Sequence, residues 1–375
     1  MNLPAIEGSQ RNALPSEDMP QATRLDDVRI RQVRPLISPA LLQDDYPADA
    51  AVQGFVEASR EQVAAIVHGC DPRLLVVVGP CSIHDGEQAL EYARRLRALA
   101  PQLQDDLFLV MRVYFEKPRT TVGWKGFIND PHLDGSFRIN EGLRLARSLL
   151  LSIARLGLPV GTEFLDLLSP QYVADLVSWG AIGARTTESP SHRQLASGLS
   201  CPIGFKNGTG GGVQMAVDAL VACRSPHAFM GMTKMGQAAI FETEGNGDCH
   251  VILRGGSRGP NYHPTDIEAA SAMLHKAGVC ERVMVDCSHA NAAKNYLRQV
   301  DVANDLAQQI AGGEQRILGL MIESHLNPGK QELRPGVPLQ HGVSITDGCI
   351  GWEQTETVLR QLAQAARQRR ERTGG

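Results

Sequence analysis

The feature that most constrains the fold is a series of eight short apolar runs, each ending in a charged, thiol or imidazole side chain. The first run, RLLVVVGPC, ends at Cys81, and the second, LFLVMR, ends at Arg112. The remaining six end at Glu163, Arg185, Lys206, Arg254, His289 and Glu323. Segments with helical periodicity separate most of these runs. Such alternation indicates parallel strands joined by crossover helices.

Eight strand–helix units predict a closed (β/α)8 barrel, the TIM-barrel form of the α/β class. In this fold the carboxyl ends of all strands meet at one mouth, so side chains far apart in sequence share one cavity. Four of the eight terminal side chains are cationic, two are carboxylates, one is a thiol and one is an imidazole. We therefore expect a metal beside anionic, phosphate-bearing substrates.

Composition excludes several other classes of protein. The 375 residues are 43% hydrophobic, which supports a sizeable core. A formal net charge of −4 gives no bulk attraction to nucleic acid. No apolar run is long enough to cross a membrane, and the amino terminus lacks a signal-peptide pattern. The eight cysteines show no CxxC spacing, which favours reduced thiols and a cytoplasmic location.

The chain divides by pattern into three parts. Residues 1–25 are polar and aperiodic, and we expect a disordered arm. Residues 26–70 predict an ordered extension with a regulatory or oligomerisation role, and residues 71–375 predict the barrel. Within the barrel, residues 227–251 contain two alternating runs around TKMGQ and predict an inserted β-hairpin before strand 6. Helices are expected over SPQYVADLVSW after strand 3 and over about 291–311 after strand 7.

A metal site is the first chemical hypothesis. Its candidate ligands are Cys81, His289, Glu323 and Asp347, the last in the segment SITDGC just beyond strand 8. A thiolate, an imidazole and two carboxylates suit divalent Mn, Fe, Co or Zn better than Mg or Ca. The long spacing makes each ligand weak evidence alone, because a buried Cys is usually a small apolar side chain. Gly79-Pro80 before Cys81 predicts a sharp turn at the barrel mouth and strengthens its case.

Anion binding is the second hypothesis. Arg forks bind phosphate or carboxylate through two hydrogen bonds, and Lys supplies a point charge. The candidate cations are Arg112, Lys117, Arg119, Arg185, Lys206 and Arg254. Any one of them could instead be a solvated surface charge, most readily Lys117 and Arg119 in the loop EKPRTTVGWKG. The glycine-rich segments RGGSRG and NGTGGG match no nucleotide-binding motif, so no nucleotide or organic cofactor is expected.

At these residues the chain strongly resembles the type Iα 3-deoxy-D-arabino-heptulosonate 7-phosphate (DAHP) synthases, the first enzymes of the shikimate pathway. The matching segments extend over nearly the whole chain after about residue 26. They include GPCSIHD, MRVYFEKPRTTVGWKGFINDP, GAIGARTTES, ASGLSCPIGFKNGT, VDCSHAN, MIESH and SITDGCIGWE. The resemblance implies a (β/α)8 barrel that assembles as a homodimer or homotetramer. It also implies condensation of phosphoenolpyruvate (PEP) with erythrose 4-phosphate, with release of phosphate.

The resemblance also assigns roles to individual residues. The implied metal ligands are the same four: Cys81, His289, Glu323 and Asp347. The implied PEP contacts are Arg112, Glu163, Ala184, Arg185, Lys206 and Arg254. The implied contacts to the aldose phosphate are Lys117, Pro118, Arg119 and Thr120. Lys117 is a candidate acid for the nascent alkoxide, whereas either Glu163 or the region of the metal and His289 could activate water.

Regulation by an aromatic amino acid is a further implication of the resemblance. The implied effector residues are Asp26, Asp27, Pro170, Gln171, Ser200 and Gly231. Tyrosine-sensitive relatives tend to have Gly at the position of Gly231, where phenylalanine-sensitive relatives tend to have Ser. We expect that Gly leaves a gap for a phenol oxygen, and we favour tyrosine as the effector. The segment DDVRI, in contrast, also resembles phenylalanine-sensitive members.

Two other functions fit parts of the same pattern. One is a related barrel that condenses PEP with a five-carbon aldose phosphate, such as an octulosonate 8-phosphate synthase. The KPRTT segment favours the four-carbon sugar by resemblance. The other is a non-catalytic barrel that senses aromatic amino acids. The complete set of metal-binding and anion-binding residues argues against a sensor.

Overall fold

Ten strands form within residues 25–119, 123–334 and 336–374, which the computed structural model describes. They are β1 (Leu74–Gly79), β2 (Leu107–Arg112), β3 (Val160–Glu163), β4 (Trp179–Ile182), β5 (Ile203–Lys206), β6 (Ala228–Met232), β7 (Ala238–Glu242), β8 (Cys249–Leu253), β9 (Val283–Asp286) and β10 (Ile317–Glu323). Eight of them close into a parallel barrel in the order β1-β10-β9-β8-β5-β4-β3-β2. The predicted (β/α)8 fold is therefore confirmed.

Helices surround the barrel, and the first two of them precede its first strand. They are α1 (Pro39–Asp45), α2 (Ala50–His68), α3 (Gly86–Leu99), α4 (Ile139–Arg155), α5 (Pro170–Val173), α6 (Pro190–Gly198), α7 (Gln214–Cys223), α8 (Pro264–Lys276), α9 (Gln299–Ala311) and α10 (Trp352–Thr373). Ser38 and Asp49 cap α1 and α2, because each side chain accepts a hydrogen bond from a first-turn backbone N–H.

Helix α2 closes the amino-terminal end of the barrel. Its residues Val63, Ile66 and Val67 are fully buried and share one apolar cluster with the barrel side chains Val77 and Trp179. With apolar side chains filling this end and the barrel interior, ligands have access to the carboxyl-terminal mouth. This is the end at which the predicted functional side chains emerge.

Two helices differ from expectation. The helix after β9 starts at Gln299 rather than near 291, since Ala293 and Lys294 have φ of 50° and 59° and so leave the right-handed helical region. The helix after β3 is confined to Pro170–Val173 and continues as a 3₁₀ turn over Ala174–Leu176.

The predicted inserted hairpin forms, with β6 and β7 paired antiparallel. It is shorter than the predicted 227–251, because residues 249–251 belong to barrel strand β8. Phe229 lies opposite Phe241, and Met230 lies opposite Ile240. The two phenylalanine rings stack, with centroids 6.0 Å apart. Met230 and Ile240 face outward and are 92% and 76% exposed, so the hairpin carries an apolar outer face.

The chain separates into two units, Met1–Leu36 and Ile37–Gly375. The predicted arm, residues 1–25, lies almost entirely outside the described residues. In the described part of the first unit, residues 25–36, no helix or strand forms. Asp27 has φ of 51°, and its carbonyl accepts a hydrogen bond of 3.0 Å from the Ile30 N–H.

Candidate active site

A cavity of about 460 Å³ lies at the carboxyl-terminal mouth of the barrel. The loops that follow the barrel strands bring distant side chains to its wall. The lining includes Arg112, Lys117, Pro118, Arg119, Glu163, Gly183, Ala184, Arg185, Lys206, Arg254, Ser288, His289, Lys294, Tyr296, Glu323, Lys330 and Asp347. The predicted substrate contacts therefore share one space, apart from Thr120, which lies outside the described residues.

Three of the four predicted metal ligands converge closely. One potential ligand atom from each of Cys81, Glu323 and Asp347 lies within 4.8 Å of the others. The turn that places the thiol depends on Gly79, where a Cβ would lie 2.8 Å from the carbonyl oxygen of Arg112. This donor set fits a borderline divalent metal, because the thiolate and the carboxylates supply soft and hard ligand atoms together.

Burial and neighbouring charges shift the pKa values of the Cys81 thiol and the Asp347 carboxyl in opposite directions. Burial, and then the charge of Glu323, raise the pKa of the Cys81 thiol to about 11. Lys117 Nζ lies 3.1 Å from Cys81 Sγ and partly offsets these effects. Burial alone would raise the pKa of Asp347, but the charges of Lys117 and His289 lower it. A bound divalent metal would add positive charge here and favour the thiolate.

His289 stands beside this cluster and is oriented by a carboxylate. Its Nδ1 lies 3.0 Å from Asp286 Oδ2 and 2.5 Å from Ser288 Oγ. Because Nδ1 is engaged, Nε2 is the nitrogen left to bind a metal, as in many carboxylate–histidine–metal sites. His289 has φ of 57°, an uncommon backbone conformation for a non-glycine residue. It lines the same cavity but lies outside the group of three mutually close ligands.

Two of the predicted anion-binding side chains are held by buried carboxylates. Arg112 is 1% exposed, and its Nη2 donates to Glu323 Oε1 at 3.0 Å. Lys206 Nζ donates to Asp286 Oδ2 at 2.8 Å. Burial would raise the pKa of Asp286, but Lys206 and His289 hold it well below its usual range. Both cations are therefore positioned before any substrate arrives.

Two of the other predicted cations, Arg119 and Arg185, are exposed. Arg185 Nη1 donates to the Pro118 carbonyl at 3.1 Å, which joins two regions predicted to hold different substrates. Arg119 Nε donates to the Trp124 carbonyl at 3.0 Å. Gly126 allows this loop to pack closely against the backbone of Phe115, since a Cβ at residue 126 would lie 2.1 Å from the Phe115 carbonyl oxygen.

Several residues in the cavity wall or buried beneath it were not predicted from sequence. Asp286 orients both Lys206 and His289, and its place at the end of the apolar run VMVD was the available signal. Lys294 and Lys330 add positive charge to the wall, which Tyr296 also lines. Lys294 follows a turn that reverses the chain, with its backbone N–H donating to the His289 carbonyl at 2.7 Å. Sequence periodicity had assigned this turn to a helix.

The predicted effector residues of the second unit lie on neighbouring elements. Pro170 and Gln171 begin α5, Ser200 follows α6, and Gly231 lies in β6. Lys234 of the hairpin turn donates to the Gln171 carbonyl at 2.5 Å, which links the hairpin to α5. The expected gap beside Gly231 is absent, because a Cβ there would lie 2.7 Å from Cδ2 of Phe241. Asp26 and Asp27 lie in the first unit and are exposed.

The described part of the chain contains no helix with the length and apolar character needed to cross a membrane.

Comparisons with known proteins agree with this geometry. The sequence pattern of the DAHP synthetase I family matches residues 51–360. Phospho-2-dehydro-3-deoxyheptonate aldolase, Phe-sensitive, from Escherichia coli strain K12 is 57% identical over 345 residues, covering 92% of this chain and 98% of the relative. The tyrosine-inhibited enzyme of the same name from Schizosaccharomyces pombe is 51% identical over 362 residues, covering 96% and 97%. A solved phospho-2-dehydro-3-deoxyheptonate aldolase from Francisella tularensis SCHU S4 superposes with a TM-score of 0.89 at 50% identity, covering 91% of this chain and 99% of that one.

Proposed function

This chain belongs to the DAHP synthetase I family, and we infer that it is a DAHP synthase of the shikimate pathway. It condenses PEP with D-erythrose 4-phosphate and water to give DAHP and inorganic phosphate. The observation that carries this function is the convergence of the Cys81–Glu323–Asp347 cluster and a ring of cations on one cavity of about 460 Å³. Such a cavity suits two phosphorylated substrates beside a metal.

Substrate placement follows from the depth of the cations. PEP takes the position nearer the barrel axis, where Arg112 and Lys206 are buried, with Arg185, Arg254, Glu163 and Ala184 around it. Erythrose 4-phosphate takes the side formed by Lys117, Pro118 and Arg119, and Thr120 belongs to the same segment. The hydrogen bond from Arg185 to the Pro118 carbonyl connects the two positions and supports their proximity.

The residues then have distinct chemical roles. Cys81, His289, Glu323 and Asp347 would hold a divalent Mn, Fe, Co or Zn ion, which when bound supplies Lewis-acid polarisation of an aldehyde oxygen. Arg112, Lys206 and Arg254 hold PEP so that its C3 faces the aldehyde carbon. Burial would lower the pKa of Lys117, but Cys81 and Glu323 raise it, so its ammonium is available to protonate the new alkoxide. Water adds to C2 of PEP, and the hemiketal phosphate formed in this way loses phosphate.

A direct assay tests this function against both alternatives. Purified protein with a divalent metal, PEP and erythrose 4-phosphate should release inorganic phosphate and form DAHP. A five-carbon aldose phosphate should support much slower turnover, because the KPRTT segment resembles that of enzymes that use the four-carbon sugar. Faster turnover with the five-carbon sugar would favour octulosonate 8-phosphate synthesis. No phosphate release with either sugar would favour the amino-acid sensor.

Feedback inhibition by an aromatic amino acid is the regulatory part of the proposal, with tyrosine as the effector. Phe-sensitive and tyrosine-inhibited relatives resemble this chain to similar extents, 57% and 51%. Because no gap lies beside Gly231, tyrosine rests only on the resemblance to tyrosine-sensitive relatives at this position. Pro170, Gln171, Ser200 and Gly231 form the barrel side of the effector region, and the bond from Lys234 to Gln171 joins two of its elements. Deleting residues 1–30, which removes Asp26 and Asp27, should abolish inhibition and spare catalysis.

Assembly and location complete the proposal. The exposed apolar pair Met230 and Ile240 favours a homo-oligomer, a dimer or a tetramer, because water exposure of such side chains is costly. Light scattering should show a dimer or a larger species for the wild type. The double variant Met230→Ser, Ile240→Ser should have a larger fraction of monomer. The eight free cysteines favour a reducing compartment, the cytoplasm.

A further inference from the structure

Among the buried polar atoms that have no hydrogen-bond partner in the described residues, two lie at or just after the ends of adjacent barrel strands. They are Glu163 Oε1, in the wall of the cavity, and the phenol oxygen of Tyr114, in the barrel core beneath it. Glu163 is 7% exposed and Tyr114 is fully buried. Buried polar atoms are nearly always hydrogen-bonded, and those without a protein partner commonly bind ordered water.

The two side chains project into the same layer of the barrel. Strands β2 and β3 are parallel, with Arg112 opposite Gly161, and the Val113 N–H donates to the Gly161 carbonyl at 2.8 Å. Continuing this register by two residues brings Tyr114 opposite Glu163. Strand residues two apart point to the same face, so Tyr114 shares the inward face with Arg112. The Tyr114 ring accordingly belongs to the cluster of barrel side chains that includes Trp179.

The surroundings fix the position of each group. The guanidinium carbon of Arg112 lies 3.6 Å from the centroid of the Tyr114 ring, a cation–π contact that holds the ring in place. Glu163 depends on the missing side chain of Gly183, where a Cβ would lie 2.2 Å from Glu163 Oε1. Burial, and to a smaller extent the charge of Glu163, raise the pKa of the Tyr114 phenol against the opposing charge of Arg112. The phenol therefore keeps its proton and acts as a hydrogen-bond donor.

We propose that Tyr114 is a positioning residue for the proposed reaction: its phenol and Glu163 Oε1 together hold the water molecule that adds to C2 of PEP. The phenol O–H donates to the water oxygen, and the water donates one hydrogen to Glu163. The inference rests on the proposed function and extends it, because it assigns the water-binding groups.

The step balances. As C3 of PEP bonds to the aldehyde carbon, the PEP double-bond electrons form that bond, and the aldehyde oxygen takes up the carbonyl electron pair and a proton. C2 becomes electron-poor, and a lone pair of the held water forms the C2–O bond while Glu163 accepts the released proton. Collapse of the hemiketal breaks the bond from C2 to the phosphate oxygen. Phosphate leaves with that electron pair, and the hydroxyl proton is lost to give the ketone.

Tyr114→Phe is the sharpest test, because it removes only the phenol oxygen and leaves a ring beneath Arg112. Relative to wild type, kcat should fall roughly tenfold, the effect of losing one hydrogen bond, while KM for both substrates stays unchanged. Glu163→Gln should lower kcat further, by about a hundredfold. The double variant should lose less than the product of the two single effects, since both groups act on one water.

A matched control is Tyr172→Phe, which removes a buried phenol that donates to the Ile37 carbonyl at 2.7 Å, away from the cavity. Its kcat, measured without effector, should equal that of wild type. A wild-type kcat for Tyr114→Phe would overturn the inference. A rise in KM for PEP alone would also overturn it, because the phenol would then act only by supporting PEP binding at Arg112. An inactive wild type would instead defeat the proposed function itself.

A high-resolution crystal structure gives an answer that does not depend on activity. It should show an ordered water within hydrogen-bond distance of both Tyr114 Oη and Glu163 Oε1, and should lose that water in Tyr114→Phe. Density showing the phenol bonded directly to a protein group would overturn the inference.

Discussion

The thiol sulfur of Cys81 lies 3.5 Å from Oδ2 of Asp347, although 266 positions separate the two residues in the chain. Cys81 follows the first barrel strand, and Asp347 lies in the loop that follows the last. In the closed barrel β1 pairs with β10, so the two ends of the strand series become neighbours. The contact thus exists only because the barrel closes.

Replacement of this thiol should remove the metal. Cys81→Ala should lose bound divalent metal and metal-dependent turnover while keeping its circular dichroism spectrum, because a thiolate contributes strongly to the affinity for borderline metals. Metal content by mass spectrometry and phosphate release check the prediction. Cys201→Ala, a buried thiol outside the cluster, is the matched control and should keep both. Full metal content in Cys81→Ala would show that the thiol is not a ligand.

The two substrate positions should separate by mutation. Arg185→Ala should raise KM for PEP by about ten- to a hundredfold, because it loses a charge-assisted hydrogen bond worth roughly 1.5–3 kcal/mol. Arg119→Ala should raise KM for erythrose 4-phosphate more than KM for PEP. Steady-state kinetics with each substrate varied in turn measures both. Equal losses for both substrates in both variants would contradict the two positions.

The buried ion pair of Lys206 and Asp286 should affect stability as a coupled unit. Asp286→Ala leaves the Lys206 ammonium buried without its carboxylate, a change that typically costs about 3–5 kcal/mol of folding free energy. Adding Lys206→Met should recover part of the lost stability without restoring activity. Denaturant unfolding of the two variants and wild type measures this. Equal stability of the single and double variants would mean that the pair is not coupled.

Glu116 should make stability depend on pH. It is 5% exposed, Ser169 Oγ donates to its Oε2 at 2.9 Å, and burial raises its pKa from 4.5 to about 7. The unfolded carboxyl ionises above pH 4.5 while the folded one keeps its proton until about pH 7. The contribution of Glu116 to the free energy of unfolding is therefore fully present below pH 4.5 and is lost as pH rises to about 7. That difference corresponds to roughly 3 kcal/mol.

Glu116→Gln removes this titration. The free energy of unfolding of the variant, relative to wild type, should increase between pH 4.5 and pH 8. Glu57→Gln, at an exposed position on α2, is the control and should show no such trend. A constant difference between Glu116→Gln and wild type over this range would show that the folded carboxyl titrates normally.

Effector preference should respond to the contact between Gly231 and Phe241. Tyrosine should inhibit the wild type more strongly than phenylalanine or tryptophan. Gly231→Ser should weaken inhibition by tyrosine and shift preference toward phenylalanine, because the new Cβ would lie 2.7 Å from Phe241 Cδ2 and must displace the ring. Inhibition curves for the three amino acids measure the shift.

Two further variants show whether Phe241 causes this effect. Phe241→Leu added to Gly231→Ser makes room for the serine and should recover stability lost in the single variant. Gly247→Ser is the control, since a Cβ there meets nothing within 4 Å. Stronger inhibition of the wild type by phenylalanine or tryptophan would refute tyrosine as the effector.

The sequence by itself determined the barrel and most of its mouth. Strand–helix alternation and the apolar runs are local patterns, and parallel strands must place their carboxyl ends on one side. The sequence alone therefore places Lys206, Arg254, Glu163 and Glu323 at one cavity. The hairpin was also predictable from a local pattern, because alternation over a few residues on each side of a turn specifies a strand pair.

Only the tertiary structure decided how these side chains meet. Whether His289 presents Nε2 depends on Asp286 and Ser288 and on a left-handed turn that periodicity assigned to a helix. Whether Gly231 opens a gap depends on Phe241, which the hairpin register brings against it. The unpartnered oxygens of Tyr114 and Glu163 became visible only when all surrounding groups were in place. Local sequence specifies which elements form, whereas side-chain orientation and hydrogen-bond satisfaction depend on contacts between residues distant in the chain.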